Sequence, residues 1–496
     1  MSTSTIRPGL AACLLAGALF GSSLVTDASA DVATPALEGP IGSADGAFVA
    51  STTFRLEDVG YMQEEFFISG TATSYTTANA LTSDGKWTVS PADTAPYKTR
   101  LLVYRPAKPK KFNGTVVVEW LNVSGGLDAA PDWTQGHVEL IRDGFAWVGV
   151  SAQFAGVEGG PVLLPIVQLP LKTVNPARYG SLSHPGDSFS YDIYSQAGAA
   201  VRNPTGSVKP LGALKIKRVI AVGESQSAFR MVNYINAVHP LAGIYDGFLV
   251  HSRGSGGAFG APLSQAPQAV VDSPAPTFIR DDIDVPVLTL EMETDLTFLN
   301  YFRARQDDSN RFRLWEVAGT AHADAYTTAG QTDLGNSPDV VALMVTTTPV
   351  PGIITCKLPV NAGPQHFVLN AAFAAINRWV ASGKPPKPAP RLEVTGPPAV
   401  IARDANGNAI GGIRTPQVDV PIAAFADTQT GSSITCLLFG TTTPFDASKL
   451  ASLYPTHRAF VAAYKKAANR AVKRGFLRGP DAKLMKQWAA SSDIGG

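Results

Sequence analysis

The stretch IKRVIAVGESQSAF, residues 216–229, decides the fold. Its first half, up to Gly223, is an apolar, β-branched run of strand length. Its second half, from Gln226, suits a helix. Between them stand Gly223-Glu224-Ser225-Gln226-Ser227, a small-x-Ser-x-small pentapeptide. A serine on so tight a strand-to-helix turn is lifted above the sheet edge, with the helix N-terminus aimed at its hydroxyl. Small residues are required on both sides, because strand and helix approach closely there. Gly223 meets this need, and Ser227, standing where glycine is usual, is still small. Read alone, the pentapeptide is a common turn. Read between a strong strand and a helix, it makes Ser225 a candidate nucleophile.

The surrounding chain repeats the same texture. GTVVVEWLN (114–122), FAWVGVSAQ (145–153), YDGFLVHS (245–252), VPVLTLEME (285–293) and FRLWEVAG (312–319) read as strands, and helix-like segments separate them. Apolar strands alternating with helices predict an α/β fold with a mostly parallel central sheet covered by helices on both faces. Reactive groups then belong on loops at the carboxyl ends of the strands. Residues 46–106 read as short, Thr-rich strands preceding that core. Two Pro/Gly-punctuated segments, 154–188 and 253–280, leave strand ends on the reactive face and are expected to form a lid or substrate rim. Residues 384–440 form a late, β-rich excursion.

A serine hydroxyl needs a base, and the base needs an orienting acid. Of the seven histidines, His322 lies in a Gly/Ala-rich loop, AGTAHAD, directly after the last core strand. His251 ends an earlier strand and is the rival, with a lid or substrate role. For the acid, Glu291 is expected inside its strand and Asp295 just past the strand end, with Glu293 as the alternative. The order Ser225, Asp295, His322 is the nucleophile–acid–histidine order of α/β-hydrolases. Tyr179, His184, Asp187, Tyr191 and Arg253 are polar groups in the rim segments, for which structural roles, such as capping by Asp187 or Ser188, suffice.

VVVEWLNVSGG, GESQSA, ETD and AGTAHAD together resemble the bacterial family called simply the α/β-hydrolase domain family, over most of the chain. The resemblance implies an α/β-hydrolase fold and a serine hydrolase with the triad Ser225, His322 and Asp295. The oxyanion hole of such a site combines the backbone N–H of Gln226 with one from the LNVSGG loop, that of Asn122 or Val123. The loop lacks the HGGG-type motif of many lipases. The expected substrate is a small-molecule or polymeric carboxylic ester; a non-catalytic binding protein, an amidase, a lactonase and an acyltransferase are the alternatives.

The 496 residues are 45% hydrophobic and 16% charged, with a net charge of +1, which gives no electrostatic reason to expect nucleic acid as a partner. No dinucleotide fingerprint, P-loop or HExxH motif is present, so no cofactor or metal is expected. Arg7, the apolar run of residues 10–25 and the small-x-small pair Ala28 and Ala30 read as a signal peptide cleaved after Ala30. Cys13 would leave with it, and no later stretch is long and apolar enough to span a membrane. In an exported chain Cys356 and Cys436 are an even pair, so a disulfide is expected between two strand-like segments.

Overall fold

The computed structural model describes residues 1–3, 32–43, 46–164, 166–256, 261–429 and 433–496. The expected signal peptide, with Cys13 and the cleavage site at Ala30, lies almost wholly outside the described residues.

The central sheet holds β1 (Ala36–Glu38), β2 (Tyr61–Thr76), β3 (Ser90–Pro106), β4 (Thr115–Trp120), β5 (Ala146–Val150), β6 (Arg218–Glu224), β7 (Gly247–His251), β8 (Val287–Glu291) and β9 (Phe312–Glu316). Their order is β1-β2-β3-β5-β4-β6-β7-β8-β9. From β5 to β9 every pairing is parallel, while β1, β2 and β3 form an antiparallel wing joined to β5. The wing corrects one expectation. Instead of short strands it contains two long ones, of 16 and 17 residues, paired along their length with one bulge between Thr73 and Tyr75.

Both sheet faces are buried, which explains why the core strands read as continuous apolar runs. Successive side chains point to opposite faces. Val116, Val118, Val219 and Ala221 pack on one side with Tyr194, Ala197 and Met231. Val117, Ile220, Val222, Leu249 and Leu288 pack on the other with Trp133, Phe373 and Trp379. The first face is therefore covered by α2 (Ser190–Arg202) and α3 (Gln226–Asn233), the second by α1 (Pro131–Arg142) and α5 (Gln365–Ser382). The short helix α4 (Glu293–Thr297) follows β8. LNYFRARQ forms a single 3₁₀ turn, Tyr301–Ala304, rather than the helix its composition suggests.

The late excursion is mixed rather than β-rich. It carries a two-residue hairpin, Val394–Thr395 with Val400–Ile401, two short helices, and a strand, Ala423–Ala426, that pairs with Thr441–Pro444 beyond it. Its function in the fold is to prop the end of β9: Ile413 N–H donates to Glu316 O, and Ala318 N–H returns to Ile413 O. Cys356 and Cys436 are joined as expected. The segments around them are not strands, however. Cys436 sits on the short helix Ile434–Leu437 and Cys356 in a loop, both buried in a small apolar cluster with Ile354, Val360 and Phe439. The chain closes on α6 (His457–Arg474) and α7 (Gly479–Ser491), packed through Phe460, Tyr464 and Met485; the basic run of residues 464–479 lies largely on this pair. No helix among the described residues is long and apolar enough to cross a membrane.

Candidate active site

Ser225 follows the last residue of β6 and precedes the first of α3. Its backbone sits at φ 57°, ψ −121°, a conformation that costs a non-glycine residue energy and survives only where the surroundings impose it. Two features impose it here. Ser225 N–H donates to His251 O on the adjacent strand at 3.0 Å. Strand and helix then meet so closely that a Cβ on Gly223 would lie 3.1 Å from the Ser227 backbone and 3.2 Å from its Cβ. The missing side chain at position 223 is what makes room for Ser227, so the serine in place of glycine leaves the turn intact.

The elements after β8 and β9 bring the candidate base, His322, and the candidate acid, Asp295, to this serine. His322 Nε2 is 2.8 Å from Ser225 Oγ, and His322 Nδ1 is 2.6 Å from Asp295 Oδ1. Asp295 Oδ2 also accepts the N–H of Met292 at 2.7 Å, which fixes the carboxylate at the start of α4. A carboxylate can only accept, so Nδ1 carries the proton and Nε2 is free to accept from the serine hydroxyl. Burial pulls the His322 imidazole down, but the charge and hydrogen bond of Asp295, with Glu224, more than offset that and leave it above the ordinary histidine value.

Glu293, the alternative acid, does not reach His322. Its Oε1 accepts the N–H of Gly319 and its Oε2 pairs with Arg403 at 2.8 Å. Burial, partly offset by Arg403, raises its carboxyl to about 7. The ETD and AGTAH motifs are in fact clamped residue by residue. Glu293 holds Gly319, Glu293 N–H donates to Thr320 O, the Thr294 hydroxyl accepts the His322 N–H, and Asp295 holds the imidazole.

The two candidates for the second backbone donor are also separated. The Asn122 N–H is committed to Ala129 O at 2.9 Å, which corrects its place among the donors. The side chain of Asn122 instead reaches Glu224 and accepts the N–H of Ser124. The N–H groups of Val123 and Gln226 have no hydrogen-bond partner among the described residues, and both residues line a cleft of about 650 Å³. Gln153, Phe154, Asp187 and Arg230 line the same cleft.

Both Pro/Gly-rich segments contribute to this cleft and are tied to the core. Three backbone bonds tie the first segment to the LNVSGG loop: Leu164 N–H donates to Ser124 O (2.8 Å), Val167 N–H to Gly125 O (3.1 Å) and Leu169 N–H to Gly126 O (2.8 Å). Arg230 of α3 pairs with Asp187 and donates to Pro262 O, joining the two segments. Tyr191 OH donates to Pro262 O, and His184 lies 2.9 Å from Ala152 O. Tyr179 is turned away toward Glu65, and Arg253 is buried over the Tyr301 ring, donating to Thr277 O.

Sequence reasoning missed a second acid–imidazole pair, linked to the first through Gln365, which contacts both His251 and the His322 carbonyl. His251 Nδ1 is 2.9 Å from Asp132 Oδ1, and its Nε2 is 3.1 Å from Gln365 Nε2. The Gln365 amide donates there, so Nε2 is unprotonated and Nδ1 carries the proton. Burial holds His251 down at about 4, hence neutral. It also missed Glu224, whose signal was only its place next to Ser225.

A family model described as Alpha/beta hydrolase domain matches residues 37–487. No curated protein matches the chain. Among solved structures, acetyl xylan esterase 1 from Thermoanaerobacterium sp. JW/SL YS485 is similar at 10% identity and a TM-score of 0.28, over 57% of this chain and 81% of that one. Esterases from the fungus Rhizomucor miehei give 12% identity and 0.28, over 64% and 84%. A glucuronoyl esterase from Solibacter usitatus gives 10% and 0.26, over 52% and 76%. With the family model spanning nearly the whole chain, and a mostly parallel sheet carrying a serine elbow, the chain belongs to the alpha/beta hydrolase domain family.

Proposed function

We propose that this protein is an exported serine hydrolase that cleaves carboxylic esters through an acyl-enzyme. The observation that carries the reading is the unbroken line Ser225 Oγ, His322 Nε2, His322 Nδ1, Asp295 Oδ1, at 2.8 and 2.6 Å, on a serine held in a strained turn. His322 takes the Ser225 proton as Oγ attacks the ester carbonyl. The N–H groups of Gln226 and Val123 hold the oxyanion, and Asp295 keeps the proton on Nδ1 and stabilises the imidazolium. His322 then protonates the departing alcohol, and water completes the cycle by the same route in reverse. The segments 154–188 and 253–280 serve as the substrate rim of one hydrolase domain, with 384–440 as its buttress. The Cys356–Cys436 bridge fits an oxidising compartment, in line with a signal peptide ending at Ala30.

The test is turnover of a short p-nitrophenyl ester together with labelling by a fluorophosphonate probe. Both are expected for the wild type and neither for Ser225→Ala. Equal behaviour of the two proteins would leave a non-catalytic binding protein on a hydrolase scaffold. Parallel amide, lactone and acyl-acceptor substrates separate the esterase from its mechanistic relatives. The mature N-terminus, read by sequencing the exported protein, is expected at Asp31.

A further inference from the structure

Ser225 Oγ is not the only oxygen near His322 Nε2. Glu224 Oε1 lies 3.4 Å from the same nitrogen. Its other oxygen accepts the Asn122 side-chain amide at 3.2 Å, and Asn122 Oδ1 in turn accepts the N–H of Ser124. One carboxylate thus connects the imidazole to the loop that carries Val123. Glu224 is buried, and no lysine or arginine among the described residues pairs with it. The titratable groups facing it are the His322 and His251 imidazoles and the Asp132 and Asp295 carboxylates. Burial raises the Glu224 carboxyl to about 7; Asp132 and Asp295 push the same way, while the imidazoles pull it down. A buried acid without a permanent cation is costly, and its charge is best compensated when the neighbouring imidazole becomes an imidazolium.

We propose that Glu224 is a second catalytic carboxylate, which holds the hydrolytic water against His322 Nε2 during deacylation. The proposal rests on the serine hydrolase reading above. Acylation has little need of such a group, because Ser225 Oγ is covalently held and already 2.8 Å from Nε2. The nucleophile of deacylation is a mobile water with two hydrogens. One is given to Nε2, and the other needs an acceptor beside it, which Glu224 Oε1 supplies. The water oxygen bonds to the acyl carbon as its first proton passes to Nε2. The second hydrogen stays on that oxygen, hydrogen-bonded to Glu224. The carbon–Oγ bond then breaks, the proton on Nε2 returns to Ser225, and the product leaves as a carboxylic acid.

The experiment compares wild type, Glu224→Gln and Glu224→Asp in pre-steady-state hydrolysis of a short p-nitrophenyl ester, with fluorophosphonate labelling of Ser225 alongside. For Glu224→Gln, labelling and the burst of p-nitrophenol are expected to stay within about threefold of wild type, while steady-state turnover falls roughly ten- to a hundredfold. The acid limb of its turnover profile is expected to follow one ionisation, that of His322, where the wild type follows two. Glu224→Asp, with a shorter carboxylate, should fall between them. Unchanged turnover and pH profile in Glu224→Gln overturn the proposal. An equal loss of burst and steady-state rates also overturns it, since that marks a merely structural group. Wild type that neither turns over ester nor takes the label fails the underlying reading, a result distinct from both.

Discussion

Replacing Asp295 by asparagine preserves shape while removing the charge and one of two acceptors. Asp295 Oδ2 is occupied by the Met292 N–H and Oδ1 by His322 Nδ1. The introduced carboxamide has only one oxygen. If that oxygen keeps Met292, the NH₂ faces Nδ1 and drives the imidazole proton to Nε2, where it blocks acceptance from Ser225. If the amide turns over, its NH₂ meets the Met292 N–H, donor against donor. Loss of the working tautomer in a Ser-His-Asp site costs on the order of 10³ to 10⁴ in rate, about 4–5.5 kcal/mol. Glu293→Gln is the matched control. The amide oxygen can still accept from Gly319, and Arg403 retains Asp427, so the rate should stay within about tenfold while stability drops about 1–3 kcal/mol. The assay is kcat/KM on a short p-nitrophenyl ester above neutral pH, with a thermal melt of each protein. A greater loss of activity in Glu293→Gln than in Asp295→Asn, at comparable melting temperature, would refute the assignment.

Three further outcomes follow from burial and chain geometry. Burial raises the Glu139 carboxyl to about 8 and those of Glu224, Glu293 and Asp324 to about 7, all above their ordinary values. The folded state therefore holds these protons more tightly than the unfolded chain, and their contribution to stability is lost as pH rises through 7 to 8. The melting temperature should fall between about pH 5 and pH 8; a rise over that window contradicts the burial of these acids. The Cys356–Cys436 bridge spans 80 residues, a loop whose closure restricts the unfolded chain by about 4.5 kcal/mol. The Cys356→Ser/Cys436→Ser protein should be destabilised by up to that amount, and alkylation of unreduced protein at both cysteines would disprove the pairing. A Cβ at Gly126 would fall 1.9 Å from Val167 O, at φ +87°. Gly126→Ala should thus lower kcat at least tenfold by displacing the loop that carries Val123, and an unchanged kcat would separate that loop from the chemistry.

Features written in local periodicity were legible in the sequence. The six parallel strands, the elbow at Ser225 and the strand-end positions of Asp295 and His322 all follow from apolar runs and where they stop. The cysteine pairing was legible too, because only two cysteines remain once residue 13 is removed. The length of β2 and β3 was not, since threonines, prolines and charges interrupt their pattern and only mutual pairing holds them extended. Cys436 sits on a short helix because tertiary burial outweighs the β-propensity of its neighbours. The choice between Asn122 and Val123 turned on a partner, Ala129, that no spacing rule identifies. The roles of Glu224, Asp132 and Gln365 likewise depend on three-dimensional neighbours from distant elements.

Leu164, Val167 and Leu169 are bonded through their backbone N–H groups to Ser124, Gly125 and Gly126 in turn. The part of the chain that shapes the cleft is therefore also the part that sets the pose of Val123. On the serine hydrolase reading proposed above, recognition and rate would not be modular. Grafting a foreign segment over residues 154–188 to change what the cleft admits would also shift the Val123 amide, the proposed oxyanion donor. A laboratory effort to redirect selectivity would do better to vary side chains on the fixed backbone, such as Phe154 or Gln153, and leave the three carbonyl contacts untouched.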